Sequence, residues 1–150
     1  MRWQLVTWLT VKATDLSNVL LSSRDWHYNL KDFSKFPKNS LGYCLYDYLQ
    51  SKNIPFKPNL IRHDIKHVLL NYEMEMPDEL KIHAFLIGNR SYNLMGIIYL
   101  SICTIIVPEV LPKLITEYKR GRQATCLKNT DLQNHIYQDI QEVRQLLVIK

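Results

Sequence analysis

Hydrophobic positions along most of this chain recur at the three-to-four-residue spacing of helices. Trp3, Leu5, Val6 and Leu9 predict a short helix over residues 2–12, which residues 15–21 extend. Residues 22–39 mix polar and aromatic side chains around Pro37 and read as a loop. The pattern then sharpens. Leu41, Cys44, Leu45, Tyr48 and Leu49 fall at i, i+3, i+4, i+7 and i+8, the spacing of a buried stripe, and predict a helix over 40–52. Ser40 stands where its hydroxyl can accept from a free first-turn amide. Pro55 and Pro58 keep the next link extended, and a helix follows from about Asn59 to Leu70. After a break at NYEMEM, Pro77 sits in the first turn of a helix over 77–88 that ends near Gly88-Asn89.

From Leu94 to Val107 the chain is almost wholly apolar, LMGIIYLSICTIIV. These 14 residues fall short of the roughly 20 that cross a bilayer. The segment reads as a central buried helix, kinked by Pro108 and Pro112, that continues to about Arg120 and ends at Gly121. Its isoleucines (Ile97, Ile98, Ile102, Ile105 and Ile106) read as core, with an isoprenoid-lining groove as the alternative. A last helix over 131–147 is capped by Thr130 or Asp131. The expectation is an all-α, single compact multi-helix domain over 1–150, with 1–39 a less defined N-terminal extension.

Composition narrows this further. Of 150 residues, 47% are hydrophobic, with 4 Gly and 6 Pro, so the chain has the apolar content for a core and few breakers. The net charge of +5 is dispersed; its tightest group is Lys119, Arg120 and Arg122, and no aromatic-basic motif accompanies it, which argues against nucleic acid. Arg120 and Arg122 suit a phosphate or lipid headgroup, or equally a salt bridge or solvent. Cys44, Cys103 and Cys126 form no CxxC and are odd in number, which points away from disulfides and thiolate zinc and towards a reducing compartment. The N-terminus has no continuous apolar run followed by a small-residue cleavage site, so no signal peptide is expected. The expected location is cytoplasmic or at the membrane periphery.

The chemistry concentrates in IRHDIKHVLLNYEMEMPDEL. His63 and His67, four apart on a helix, stack on one face where both can reach one metal ion. Asp64 leaves the helix about 100° around from His63, so it flanks the site as a further ligand or orients a histidine. Glu79, in the first turn of the following helix, comes back over the imidazoles if the two helices pack together. Two imidazoles and two carboxylates suit a divalent metal, zinc first, with Mg²⁺ or Fe²⁺ as alternatives. Bare H-x3-H spacing also arises by chance on helices, so spacing alone does not make a site. His83, four after Glu79, could face the same centre, while Asp47 reads as solvated.

The segment matches H-D-x2-H-x11-E, and HDIKHVLL resembles the HD-x2-H-V-L run of the ubiquinone biosynthesis Coq-four family. EYKRGRQATCL and DLQNHIYQDIQEVRQLLVI resemble two later segments of that family, and the likeness spans about residues 40–150. It implies an all-helical protein whose His63, Asp64, His67 and Glu79 bind a divalent metal, usually zinc, as catalytic and metal-ligating residues. It further implies a polyprenylated quinone precursor held in an apolar groove, peripheral membrane contact, and a homodimer or a biosynthetic complex. The implied activity is head-group modification, an oxidative decarboxylation of a polyprenyl-hydroxybenzoate ring, with a non-catalytic prenyl-lipid scaffold as the alternative. The acidic NYEMEMPDE stretch, with Glu73 and Glu75, departs from the small residues found there in the family. A third reading, an HD-type phosphohydrolase, would require further ligands such as His27 and Asp131.

Overall fold

The computed structural model describes residues 1–20 and 28–149, with side chains for 1–12 and 28–149. Among them eight α-helices form one compact domain without strands: α1 (Arg2–Leu20), α2 (Leu30–Phe33), α3 (Leu41–Ser51), α4 (Ile61–Leu70), α5 (Met76–Gly88), α6 (Leu94–Ile106), α7 (Leu111–Gln123) and α8 (Ile140–Leu146).

Burial follows two clusters. One gathers Leu41, Leu45 and Leu49 of α3, Ile65 and Leu69 of α4 and Phe85 of α5 with the C-terminal residues Ile136 and Val143. The other joins Val6 of α1, Tyr99 and Cys103 of α6 and Leu114 of α7 to Leu80 and Ala84 of α5. Helix α5 is therefore the element shared by both. The expectation of burial for the Leu94–Val107 segment is corrected here. Helix α6 forms as anticipated, but only Gly96, Tyr99 and Cys103 are buried. Ile98, Ile102 and Ile105 are exposed, Ile105 to 81%. A helix apolar on every side gives no sequence signal of which face is covered. Pro108 lacks a backbone N–H and forces Val107 out of helical geometry (φ −128°, ψ 68°). The chain turns by 108° between α6 and the following segment instead of kinking. No single helix among the described residues is long and apolar enough to cross a membrane.

Two further boundaries move for physical reasons. Gly121 lies inside α7, not at its end, because it is where α7 crosses α5. A Cβ at Gly121 would stand 2.1 Å from the Phe85 carbonyl oxygen, and one at Gly88 2.0 Å from that of Tyr118. The last helix is shorter than 131–147. Asp131 does cap a turn, accepting from the Gln133 amide, but that turn is a 3₁₀ segment, Leu132–His135. The carbonyls of Ile136 and Gln138 accept from the amides of Gly42 and Leu41, at 2.8 and 2.9 Å. Together with Ser40 Oγ, which accepts from Tyr43 N at 3.1 Å as expected, they satisfy the open first turn of α3. That pairing holds residues 136–139 out of a helix, and α8 starts afresh from an Asp139 cap. Within the expected 22–39 loop, residues 30–33 form the single turn α2, with Asp32 Oδ2 accepting from the Asn29 amide.

Candidate metal centre

The C-terminal end of α4 is fixed from three directions. Asn71 takes the left-handed conformation (φ 59°) and ends the helix, and the Tyr72 amide returns to the His67 carbonyl at 2.9 Å. Arg144 donates from Nε to Leu69 O and from Nη2 to Val68 O, at 2.9 and 2.8 Å. Arg120 donates to Leu70 O at 3.2 Å and to the Tyr72 hydroxyl at 2.9 Å, and its guanidinium lies over the Tyr72 and Phe85 rings. Tyr72 in turn bonds Glu117 of α7. Two arginines thus meet the last carbonyls of the helix, where positive charge is favoured. The phosphate reading of Arg120 gives way to this structural use; Arg122 is exposed.

This anchoring sets the ring of His67, which is fully buried. Its Nδ1 lies 3.0 Å from the Glu73 carbonyl. A carbonyl only accepts, so the proton belongs on Nδ1 and the lone pair on Nε2. That Nε2 faces Glu79 Oε1 at 3.1 Å and has no hydrogen-bond partner. Two buried acceptors therefore confront each other. His63, one turn earlier, places Nε2 3.3 Å from Glu79 Oε2, with its ring centroid 4.7 Å from that of His67. Donor atoms of His63, His67 and Glu79 all lie within 4.8 Å of one another. Tetrahedral zinc with bonds of about 2.0–2.2 Å sets its donors roughly 3.3–3.5 Å apart, so this spacing fits one ion. The orphaned lone pair of His67 beside a carboxylate is the chemistry such an ion completes.

Asp64 is buried next to His63, with Oδ1 3.7 Å from Nδ1, an ion-pair rather than a hydrogen-bond distance. Burial lowers the basicity of His63, but Asp64 and Glu79 outweigh it and raise its pKa to about 9. Burial alone would raise the Glu79 pKa; its contact with His63 instead holds the carboxyl well below the usual range. His83, on α5 one turn beyond Glu79, packs its ring 4.9 Å from that of Tyr99, whose hydroxyl bonds Thr10 of α1. Burial and the charge of His63 lower its pKa to about 4, so at neutral pH it stays uncharged beside the cluster. Lys66, between the two α4 histidines, has its pKa lowered to about 8 by burial and by Arg62.

The structure thus brings together His63, His67 and Glu79, sets Asp64 at their edge and places His83 nearby. Asp131 lies apart from the cluster, its carboxylate 3.4 Å from Arg62 Nη2, and His27 lies outside the described residues. Asp47 is exposed, as expected. Glu73 and Glu75 are exposed, with Glu73 paired to Lys52 at 2.8 Å. No sequence signal marked the Glu73 carbonyl or the two arginine anchors, because each is a contact of backbone oxygen that residue identity does not encode. A cavity of about 500 Å³ between α3, α4 and α8, reaching His67, is lined mainly by polar side chains, among them Tyr43, Tyr48, Lys52 and Arg144.

No protein-family profile matches the chain, and no curated protein matches it. The fold does match a crystal structure of a protein from Nostoc punctiforme named, provisionally, as a ubiquinone biosynthesis protein. The TM-score is 0.65 at 20% identity, over 100% of this chain and 82% of that one. At that identity the likeness establishes a shared fold.

Proposed function

We propose that the chain is a metal-binding protein of ubiquinone or prenylquinone biosynthesis. It binds or modifies the head group of a polyprenylated hydroxybenzoate-type precursor. The observation that carries the metal is the unpartnered, buried Nε2 of His67 facing the Glu79 carboxylate. Pathway membership is supported by the H-D-x2-H-x11-E run at His63–Glu79 and by the name of the Nostoc protein whose fold it shares. His63, His67 and Glu79 would hold the ion, with Asp64 as a fourth ligand or as the group that orients His63. Zinc is the first expectation from the donor set, with Mg²⁺ or Fe²⁺ as alternatives. Once bound, such an ion supplies Lewis acidity towards a carboxylate or phenolic oxygen. The chain's own contribution is to hold Nε2 of His67 towards the ion through the Glu73 carbonyl, and to keep the partly buried His83 neutral alongside.

The exposed apolar side of α6, with Leu94, Met95, Ile98, Ile102 and Ile105, supports contact with an isoprenoid tail or membrane periphery. A homodimer or a larger biosynthetic complex is the expected assembly. A scaffold that presents the lipid without turnover is the second reading, favoured by the same apolar face. Native mass spectrometry of the purified chain, reading metal and co-bound lipid together, tests both. One metal per chain, lost in His63→Ala together with support of quinone synthesis, is the expected result. Full quinone synthesis by His63→Ala would end the enzymatic reading, and prenyl lipid on metal-free, inactive protein would establish the scaffold.

A further inference from the structure

Arg62 and Lys66 stand one turn apart on α4, a like-charge pair at i, i+4 that weakens a helix unless an anion answers it. Arg62 has such an anion at the rim, with Nη2 3.4 Å from Asp131 Oδ1, but its Nε is buried and has no hydrogen-bond partner. Lys66 is partly buried, and among the described residues no carboxylate lies within ion-pair distance of its ammonium. A cation removed from water without a counter-charge is costly. Lys66 is also three residues from His63, hence on the same flank of the helix, and its charge acts on His63 and, across on α5, on His83. With a divalent ion at the cluster, Glu79 and Asp64 balance its two charges and Lys66 remains uncompensated. One negative charge closes that balance, whereas a doubly charged phosphate overshoots it beside two carboxylates.

We infer that Lys66 is a binding residue for the carboxylate of the substrate head group, seated beside the His63–His67–Glu79 cluster with Arg62 adding to the local positive charge. This rests on reading the cluster as a metal centre. Neither Lys66 nor Arg62 belongs to the H-D-x2-H-x11-E pattern, so the subsite is a property of this chain's own residues.

The test is calorimetric titration of the zinc-loaded full chain with benzoate, with neutral phenol and with inorganic phosphate, for the wild type, Lys66→Gln and Lys66→Arg. Wild type should bind benzoate at least tenfold more tightly than phenol. Lys66→Gln should weaken benzoate at least tenfold and leave phenol unchanged, and Lys66→Arg should recover most of the loss, with zinc stoichiometry the same in all three. Equal benzoate affinity in wild type and Lys66→Gln overturns the inference. Lys66-dependent binding of phosphate more tightly than benzoate overturns the carboxylate assignment. If the wild type takes up no zinc, the metal reading falls on its own, and the same titrations on the metal-free chain decide the subsite: dependence on Lys66 upholds it and independence overturns it.

Discussion

Replacing Glu79 by glutamine should have opposite consequences with and without metal. The carboxylate sets Oε1 3.1 Å from the buried, unpartnered Nε2 of His67, and both atoms are acceptors, so that without a metal between them neither is satisfied by the other. An unsatisfied buried acceptor costs about 1–3 kcal/mol. A glutamine of the same shape can turn its amide N–H towards Nε2 and relieve that cost. Against this stands the weakened contact with His63, Nε2 to Oε2 at 3.3 Å. The His63 side chain is 37% exposed, so solvent screening keeps that loss to about 1 kcal/mol or less. Metal-free Glu79→Gln should therefore match or exceed the wild type in stability, by up to about 2 kcal/mol. With zinc the order reverses. Free zinc at a hundred times its Kd stabilises the wild type by about 2.7 kcal/mol, or roughly 5–10 °C in Tm for a chain of this size. The variant, without one anionic ligand, should gain little. Urea unfolding in chelator and thermal melts across a zinc series measure the two arms. Glu79→Gln more than about 1 kcal/mol less stable than wild type without metal, or an equal zinc-induced rise in Tm for both proteins, refutes the reasoning.

Three further outcomes follow from the same structure. Gly121→Ala drives a methyl to 2.1 Å from the Phe85 carbonyl at the α5–α7 crossing, where backbone must move, and should cost about 3 kcal/mol or more in urea unfolding; a loss under 1 kcal/mol would mean the helices slide apart freely. His83, lowered to about 4 from an ordinary 6.5, keeps its full contribution above pH 6.5 and loses it as pH falls towards 4, because the unfolded chain takes up the proton first. After allowance for its partial exposure this is worth about 2 kcal/mol, and an acid titration of His83→Gln should show a correspondingly shallower decline. Among the thiols, Cys126 has its pKa lowered by Ser91 and is partly accessible, whereas burial raises that of the fully enclosed Cys103. Pulsed alkylation followed by mass spectrometry should label Cys126 first and Cys103 only on unfolding.

The helical architecture was legible because its signals are local. The Leu41–Leu49 stripe, the Ser40 cap and the Asn71 break each depend on a few neighbouring residues, and α3, α4 and α5 fall within two residues of their expected bounds. What escaped the sequence is non-local. Gly121 is equally suited to ending a helix and to letting two backbones meet, and only the position of Phe85 on another helix decides between them. Residues 136–139 fall inside the helix expected over 131–147, yet the unsatisfied first turn of α3, nearly a hundred positions upstream, takes the carbonyls of Ile136 and Gln138. Helix α6 was misjudged for a related reason: its hydrophobicity has no direction, so composition could not say that α5 would occupy the centre.

The candidate site divides along the same line. Spacing alone placed His63 and His67 on one face and Glu79 at the start of the next helix, because periodicity dictates which side chains share a face. It could not supply the element that turns proximity into a ligand set, the proton position on His67. That is fixed by the carbonyl of Glu73, a residue singled out in the sequence for its charge, while its side chain points to Lys52 at the surface. The acidic loop that departs from the small residues of the Coq-four pattern is thus neutral in its effect on the buried ring: its backbone orients His67, and its carboxylate is answered outside. Substitutions at position 73 that retain the backbone should leave the cluster intact, whereas any change that shifts the loop, at Tyr72 or Arg120, should disturb it through His67. The functional geometry depends on how α7 and α8 hold the end of α4 as much as on the His63–Glu79 pattern itself.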